Sequence, residues 1–160
     1  MNSSARLPFN VRSFLERPLL PASVATVGRK GGPVLGSLWF QFVEGRFWFS
    51  TRSESFLQSA RNGSLMAVMV ETFEPPDQIW LLRATGKSGL ERHEPSRVEA
   101  IYRRYLGPEL QNWPTFFRDR LHDKTFELFT VLPERGVVFA FPQFNTKEFR
   151  WDSFKECPLV

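Results

Sequence analysis

Apolar residues recur at every second position in ASVATVG, from Ala22, which is the spacing of a strand with one buried face. GRKGGP, residues 28 to 33, follows as a hairpin turn, because glycine next to proline both permits and enforces a reversal. VLGSLWFQFV is nearly all apolar and is expected to be one strand, either buried on both faces or closing a barrel. Glu44-Gly45-Arg46 turns the chain into a third strand, RFWFST. A short helix is expected from Ser55 to Asn62, followed by SLMAVMVE as a fourth strand and a loop at Glu74-Pro75-Pro76-Asp77. QIWLLRATGKSGLERH is a long fifth strand with a bend at Gly86 or Gly89, the two residues without a side chain to pack.

The spacing then changes to that of a helix. In HEPSRVEAIYRRYLG, Val98, Ile101, Tyr102 and Tyr105 fall on one helical face. Pro95 suits the first turn and Gly107-Pro108 ends the helix. A weaker helix is expected near Trp113 to Leu121. TFELFTVL and GVVFAFP are two further strands joined at Pro133-Glu134-Arg135, and FNTKEFRWDSF forms an irregular aromatic tail. About six or seven short strands with one strong helix inserted late predict a mainly β, antiparallel barrel with peripheral helices. No repeat or linker divides the chain, so residues 1–160 are read as one domain, with a core over about 20–141 and a tail over 142–160.

Composition narrows the function classes. The formal charge is +4, which is compatible with an anionic partner, but the basic residues are scattered and form no run. Nucleic acid and a membrane surface are therefore not expected as partners. No apolar run reaches the roughly 20 residues that span a bilayer, and the start MNSSARLPFNVRSF has no continuous apolar core. A single cysteine, Cys157, cannot form an internal disulfide and fits a reducing, cytoplasmic compartment.

Several chemistries find no residues to carry them. The sequence has no HExxH, no paired CxxC and only two histidines, His93 and His122, so no metal site is expected. GKSG at Gly86 resembles the end of a phosphate loop, but the position for that loop's first glycine is Leu81. No G-x-S-x-G is present, and no catalytic residue is assigned.

One junction stands out. In FWFSTRSESFLQSARNG a strand gives way to a helix, and TRSES lies between them. Ser55 with Gln58, or Thr51 with Glu54, has the spacing of a capping box, so a well-capped helix accounts for part of the pattern. Ser50, Thr51, Ser53, Ser55 and Arg52 offer more donors than one cap needs. Free N–H groups at a helix start, hydroxyls and an arginine together suit a phosphate.

The stretch from Ala22 to Glu71 resembles the pyridoxamine 5′-phosphate oxidase-like proteins, the FMN-binding split-barrel group. Gly32-Pro33, Trp39-Phe40, Glu44-Gly45 and Phe49-Ser50-Thr51 stand at the places of that family's G-x-P turn, aromatic pair, acidic-glycine turn and F-x-T strand end. LLRATGKSGLERHEPSRVEAIYRRYLG resembles its later strand and helix, so the resemblance covers roughly residues 20 to 139. It implies a split barrel that forms a homodimer, with flavin held at the subunit interface and a small-molecule substrate or electron donor. The ring would lie along Gly36, Ser37, Leu38 and Trp39, and the phosphate at Ser50, Thr51, Arg52, Ser53 and Ser55. The chain departs from the family at Ser55-Phe56-Leu57, where the family carries basic residues; Arg52 or Arg61 would substitute. The implied activity is that of an FMN-dependent oxidoreductase. A deazaflavin-dependent reductase and a non-catalytic, stress-related flavin- or ligand-binding module are the alternatives. An excess of strand aromatics (Trp39, Phe40, Phe42, Phe47, Phe49) is a further reason to expect a homodimer.

Overall fold

A computed structural model of the 160-residue chain describes residues 7–141 and 147–160. The expected hairpin pairs β1 (Ala22–Val27) with β2 (Pro33–Leu38). β3 (Phe40–Val43), β4 (Arg46–Thr51), α2 (Glu54–Arg61), β5 (Leu65–Glu74) and β6 (Gln78–Glu91) follow, with α1 (Val11–Glu16) preceding them all. α3 (Pro95–Leu106) and α4 (Thr115–Arg120) lead to β7 (Glu127–Val131), β8 (Arg135–Phe141) and β9 (Lys147–Trp151). Every strand pairing is antiparallel. Seven strands run in the order β2-β1-β5-β6-β7-β4-β3, and β8 and β9 branch from β6. The sheet curls around an apolar interior as a split barrel.

Alternation sets the packing. On β4, Phe47, Phe49 and Thr51 face the barrel interior, and Trp48 faces the opposite side, where α3 covers it with Val98, Ile101 and Tyr102. The helical face read from the sequence is thus the one turned inward. Pro95 opens α3, and Gly107, at φ 89°, ends it.

β6 is long because it serves two partners along one edge. Residues 79–85 pair with β8 and residues 88–91 with β7, and the bend lies between them. At Gly86 an added Cβ would stand 1.7 Å from the Leu132 carbonyl oxygen, so the β7–β8 connection passes where a side chain would be. Of the two bend positions expected, Gly86 is the one the backbone crossing requires.

The structure corrects three expectations and adds one helix. VLGSLWFQFV is two strands, because the chain leaves β1 at Leu38 and joins β4 at Phe40, with Trp39 at the break. The tail is not wholly irregular: β9 pairs with β8, and Trp151, Cys157 and Leu159 enter the core. Residues 142–146 of that tail lie outside the described residues. Near the N-terminus, Asn10 caps α1 by accepting from the Ser13 N–H at 3.0 Å, a helix the apolar spacing did not announce. Finally, Phe40, Phe47 and Phe49 are fully buried within one chain, so they are not surplus awaiting a partner.

Candidate functional site

β4 ends at Thr51 and α2 begins at Glu54, leaving Arg52 and Ser53 as the link. The Ser53 N–H donates to Thr51 Oγ1 at 3.1 Å, which turns the chain sharply into the helix. Ser53 is the N-cap residue, and its side chain makes no capping bond. Neither expected capping box forms. Ser55 lies inside the helix, the Gln58 oxygen accepts from Arg61, and the Glu54 carboxylate also accepts from Arg61, at 2.7 Å. The first turn of α2 therefore keeps backbone donors that no side chain caps.

Strand alternation separates the hydroxyls. Thr51 is buried toward the barrel interior, whereas Ser50 turns to the α3 side, in the neighbourhood of Tyr102. Ser50 Oγ is buried and makes no hydrogen bond of normal geometry. Ser53 and Ser55 remain half-buried at the helix start. The five residues of the expected cradle are thus neighbours in sequence, but they do not converge on one point.

Their cations differ just as clearly. Arg61 is held between Glu54 at 2.7 Å and Glu127 at 3.1 Å, and hydrogen bonding to Glu54 raises its pKa further. That arginine is already neutralised. Arg52 is exposed and forms no ion pair among the described residues, and its guanidinium lies 5.6 Å from the Phe126 ring centroid. Arg120, from the end of α4, lies 4.3 Å from the same centroid and likewise has no ion pair among the described residues. Sequence reasoning passed over Arg120, since nothing local links it to TRSES. The nearby Asp123 carboxyl is held below its usual range, first by the Thr125 hydroxyl and backbone N–H and then by Arg52 and Arg120. The junction therefore carries a cationic pair around one aromatic ring.

The second half of the expected site lies close by. Gly36 has the Phe56 ring of α2 against it, and an added Cβ would stand 3.0 Å from Phe56 Cε2. That contact places β2 directly against the helix that starts at the junction. Ser37 points outward with Leu35, and Leu38 is half-buried against the core. Trp39 stacks on Tyr105 and Phe117, with centroids 4.7 and 5.1 Å apart, and meets Tyr102 edge-on. It is a packing residue of the α3–α4 side.

A flavin nucleotide fits part of this arrangement. The uncapped start of α2, Arg52 and Arg120 suit its phosphate, and the outward side of β2 at Ser37 and Leu35 offers a surface for its ring. His93 places both ring nitrogens on backbone carbonyl oxygens, those of Phe126 at 3.0 Å and Leu121 at 3.1 Å. Among the described residues no group of acidic, cysteine or histidine side chains is placed to hold a metal ion.

No protein-family model and no curated protein matches the sequence. Solved structures do. A protein from Clostridium acetobutylicum, related to general stress protein 26 and assigned to the pyridoxinephosphate oxidase family, superimposes with a TM-score of 0.57 at 15% identity, covering 89% of this chain and 92% of its own. An F420 reductase matches with a TM-score of 0.56 at 22% identity over 79% of this chain and 95% of its own. HutZ, the heme storage protein of Vibrio cholerae, matches with a TM-score of 0.58 at 18% identity over 88% and 99%. The fold is the pyridoxamine 5′-phosphate oxidase-like split barrel.

Proposed function

We propose that this chain binds a phosphate-bearing flavin, FMN or a deazaflavin, and serves as a flavin-dependent oxidoreductase on a small molecule in the cytoplasm. One observation carries the reading: Arg52 and Arg120 meet at Phe126 beside the uncapped start of α2, with Asp123 near them but no salt bridge to either arginine among the described residues. A flavin supplies the redox chemistry through its own ring, so the protein needs no catalytic dyad. The chain's task is to anchor the phosphate, seat the ring along β2 and exclude water. The solved neighbours support a ligand of this class, since one is an F420 reductase. His93 is not the residue to ligate a heme iron, because both its ring nitrogens face backbone carbonyl oxygens.

We also propose a homodimer that covers the ring. Val27, Leu35 and Leu65 are 64%, 75% and 52% exposed on one outward face of β1, β2 and β5. The register opposes Ala25 to both Leu35 and Ala67, which makes that face continuous and apolar. A second copy laid there would bury it beside Ser37.

Titration with FMN, a deazaflavin and riboflavin tests the reading. Arg52→Ala should weaken FMN about ten- to a hundred-fold, the effect of losing one charge-assisted contact, and leave riboflavin unchanged. Arg120→Ala should act in the same direction. Equal FMN affinity in wild type and both variants would move the phosphate elsewhere. If neither flavin binds, the chain is a split barrel that serves another ligand.

A further inference from the structure

The outward face of β6, β8 and β9 gathers charge that the fold neutralises only in part. Arg83 on β6 stands opposite Val137 on β8, which stands opposite Arg150 on β9. One step along, Thr85 stands opposite Arg135. Side chains at these positions share one face, because residues directly opposed across a sheet point the same way. Arg83, Arg135 and Arg150 all line one cleft of about 190 Å³, together with Thr85 and Asp152.

The floor of this cleft is rigid. An added Cβ at Gly136 would lie 2.3 Å from the Arg83 carbonyl oxygen and 2.4 Å from the Trp151 ring, so glycine allows the indole to pack flush against the strands. Trp151 is 1% exposed and donates from Nε1 to the Pro133 carbonyl at 3.1 Å.

The cations, by contrast, have little to answer them. Arg150 pairs with Glu148 on its own strand at 3.0 Å. Arg83 and Arg135 form no ion pair among the described residues, and the residues outside that set, 1–6 and 142–146, contain no aspartate or glutamate. Asp152 is the one carboxylate in the cleft lining. Three guanidinium groups lining one cleft repel one another, and Asp152 together with the exposed Arg150–Glu148 pair offsets this only in part.

We propose that this cleft is a binding site for a phosphate monoester, distinct from the junction at Arg52. A dianion answers the excess charge of Arg83 and Arg135. Forked guanidinium donors, with the Thr85 hydroxyl, offer more hydrogen bonds than the two oxygens of a carboxylate accept, and they match the three terminal oxygens of a phosphate ester. The site does not depend on flavin binding. Its ligand is a second phosphorylated small molecule, held on the same outward face as Ser37, three strands away through the row Ser37–Ser23–Met69–Arg83.

The test uses inorganic phosphate as the probe, at constant ionic strength, on the full chain. Calorimetric titration in an Arg52→Ala background, which removes the junction's share of the heat, should show binding that Arg83→Gln and Arg135→Gln each weaken about tenfold or more. Arg135→Lys, which keeps the charge and loses the fork, should fall between. In the same Arg52→Ala background, amide resonances of Thr85 and Gly136 should shift on adding phosphate, and those of Gly36 and Ser53 should not. Acetate at the same ionic strength should produce neither effect. The proposal is overturned by no heat in that background, by equal affinity when Arg83→Gln and Arg135→Gln are both added to it, or by shifts confined to Ser53. It is also overturned if a single-stranded oligonucleotide binds far more tightly through the same arginines, which would make the cleft part of a polymer track.

Discussion

The Tyr105 hydroxyl accepts the backbone N–H of Phe40 at 3.1 Å and donates to the Leu20 carbonyl at 2.8 Å. Phe40 is where the chain passes from the β1–β2 hairpin to the partner of β4, and β3 ends the strand path. Its outer backbone edge has no strand to pair with, so α3 supplies the partners. Arg104, the preceding residue, donates to the Phe40 carbonyl and also to the carbonyls of Leu15 and Arg17 at the end of α1. Burial lowers the Arg104 pKa, and its guanidinium lies 4.4 Å from the Phe40 ring centroid.

Tyr105→Phe should therefore cost about 1–3 kcal/mol, because it leaves a buried N–H and a carbonyl without their partner. Arg104→Met should cost at least as much, since several carbonyls lose their donor together. Melting temperature should fall by about 2–4 °C per kcal/mol for a chain of this size. An unchanged melting temperature in Tyr105→Phe would show that water replaces the hydroxyl and that α3 is not the clamp described.

Gly86→Ala is expected to destabilise by about 3 kcal/mol or more, because the added methyl meets backbone atoms of Leu132 that cannot rotate away. Gly89→Ala should be mild, since its nearest neighbour is the Thr130 hydroxyl at an ordinary 3.6 Å. Denaturant midpoints for the two variants compare the sites directly. Equal loss at both would remove the crossing at Gly86 as the reason β6 bends.

Arg61 and Arg52 should separate cleanly in binding. Arg61 is engaged by Glu54 and Glu127, so Arg61→Ala should change FMN affinity less than about twofold, against ten- to a hundred-fold for Arg52→Ala. Its effect on stability should be small and shrink with added salt, as for other exposed ion pairs. A large loss of FMN affinity in Arg61→Ala would mean that the acidic partners release it to the ligand.

The order of strands and the face of α3 were legible because alternation and helical spacing are local signals. The bend at Gly86 was legible because an isolated glycine in a strand has few other uses. The break at Trp39 was not, since an apolar run looks the same whether one strand or two consecutive ones use it. What divides it is Tyr105 and Arg104, far away in sequence. The site follows the same rule. Arg52 was evident beside the helix start, whereas Arg120 reaches Phe126 only through the path of α4. Counting hydroxyls overstated the cradle, because adjacent strand residues such as Ser50 and Thr51 point to opposite faces.

The alkaline limit of stability should be set in part by the chain's two tyrosines, Tyr102 and Tyr105. Tyr102 is 5% exposed, edge-on to Trp39 and Trp113. Burial pushes its phenol above the ordinary value of 10.0, with Arg120 opposing, and burial raises Tyr105 likewise. A raised folded pKa means that the unfolded chain loses its proton first. The contribution is thus fully present below about pH 10 and is lost as pH rises through the folded value. Cys157, whose thiol burial also raises above 9.0, acts in the same direction. Melting temperature should accordingly fall above about pH 10, and Tyr102→Phe should fall less steeply there than wild type, with the Cys157 share common to both. Tyrosinate absorbance gives an independent reading, since only these two residues contribute. It should rise in the native protein at higher pH than in the denatured chain. Coincident native and denatured titrations would show that α3 leaves both hydroxyls open to water.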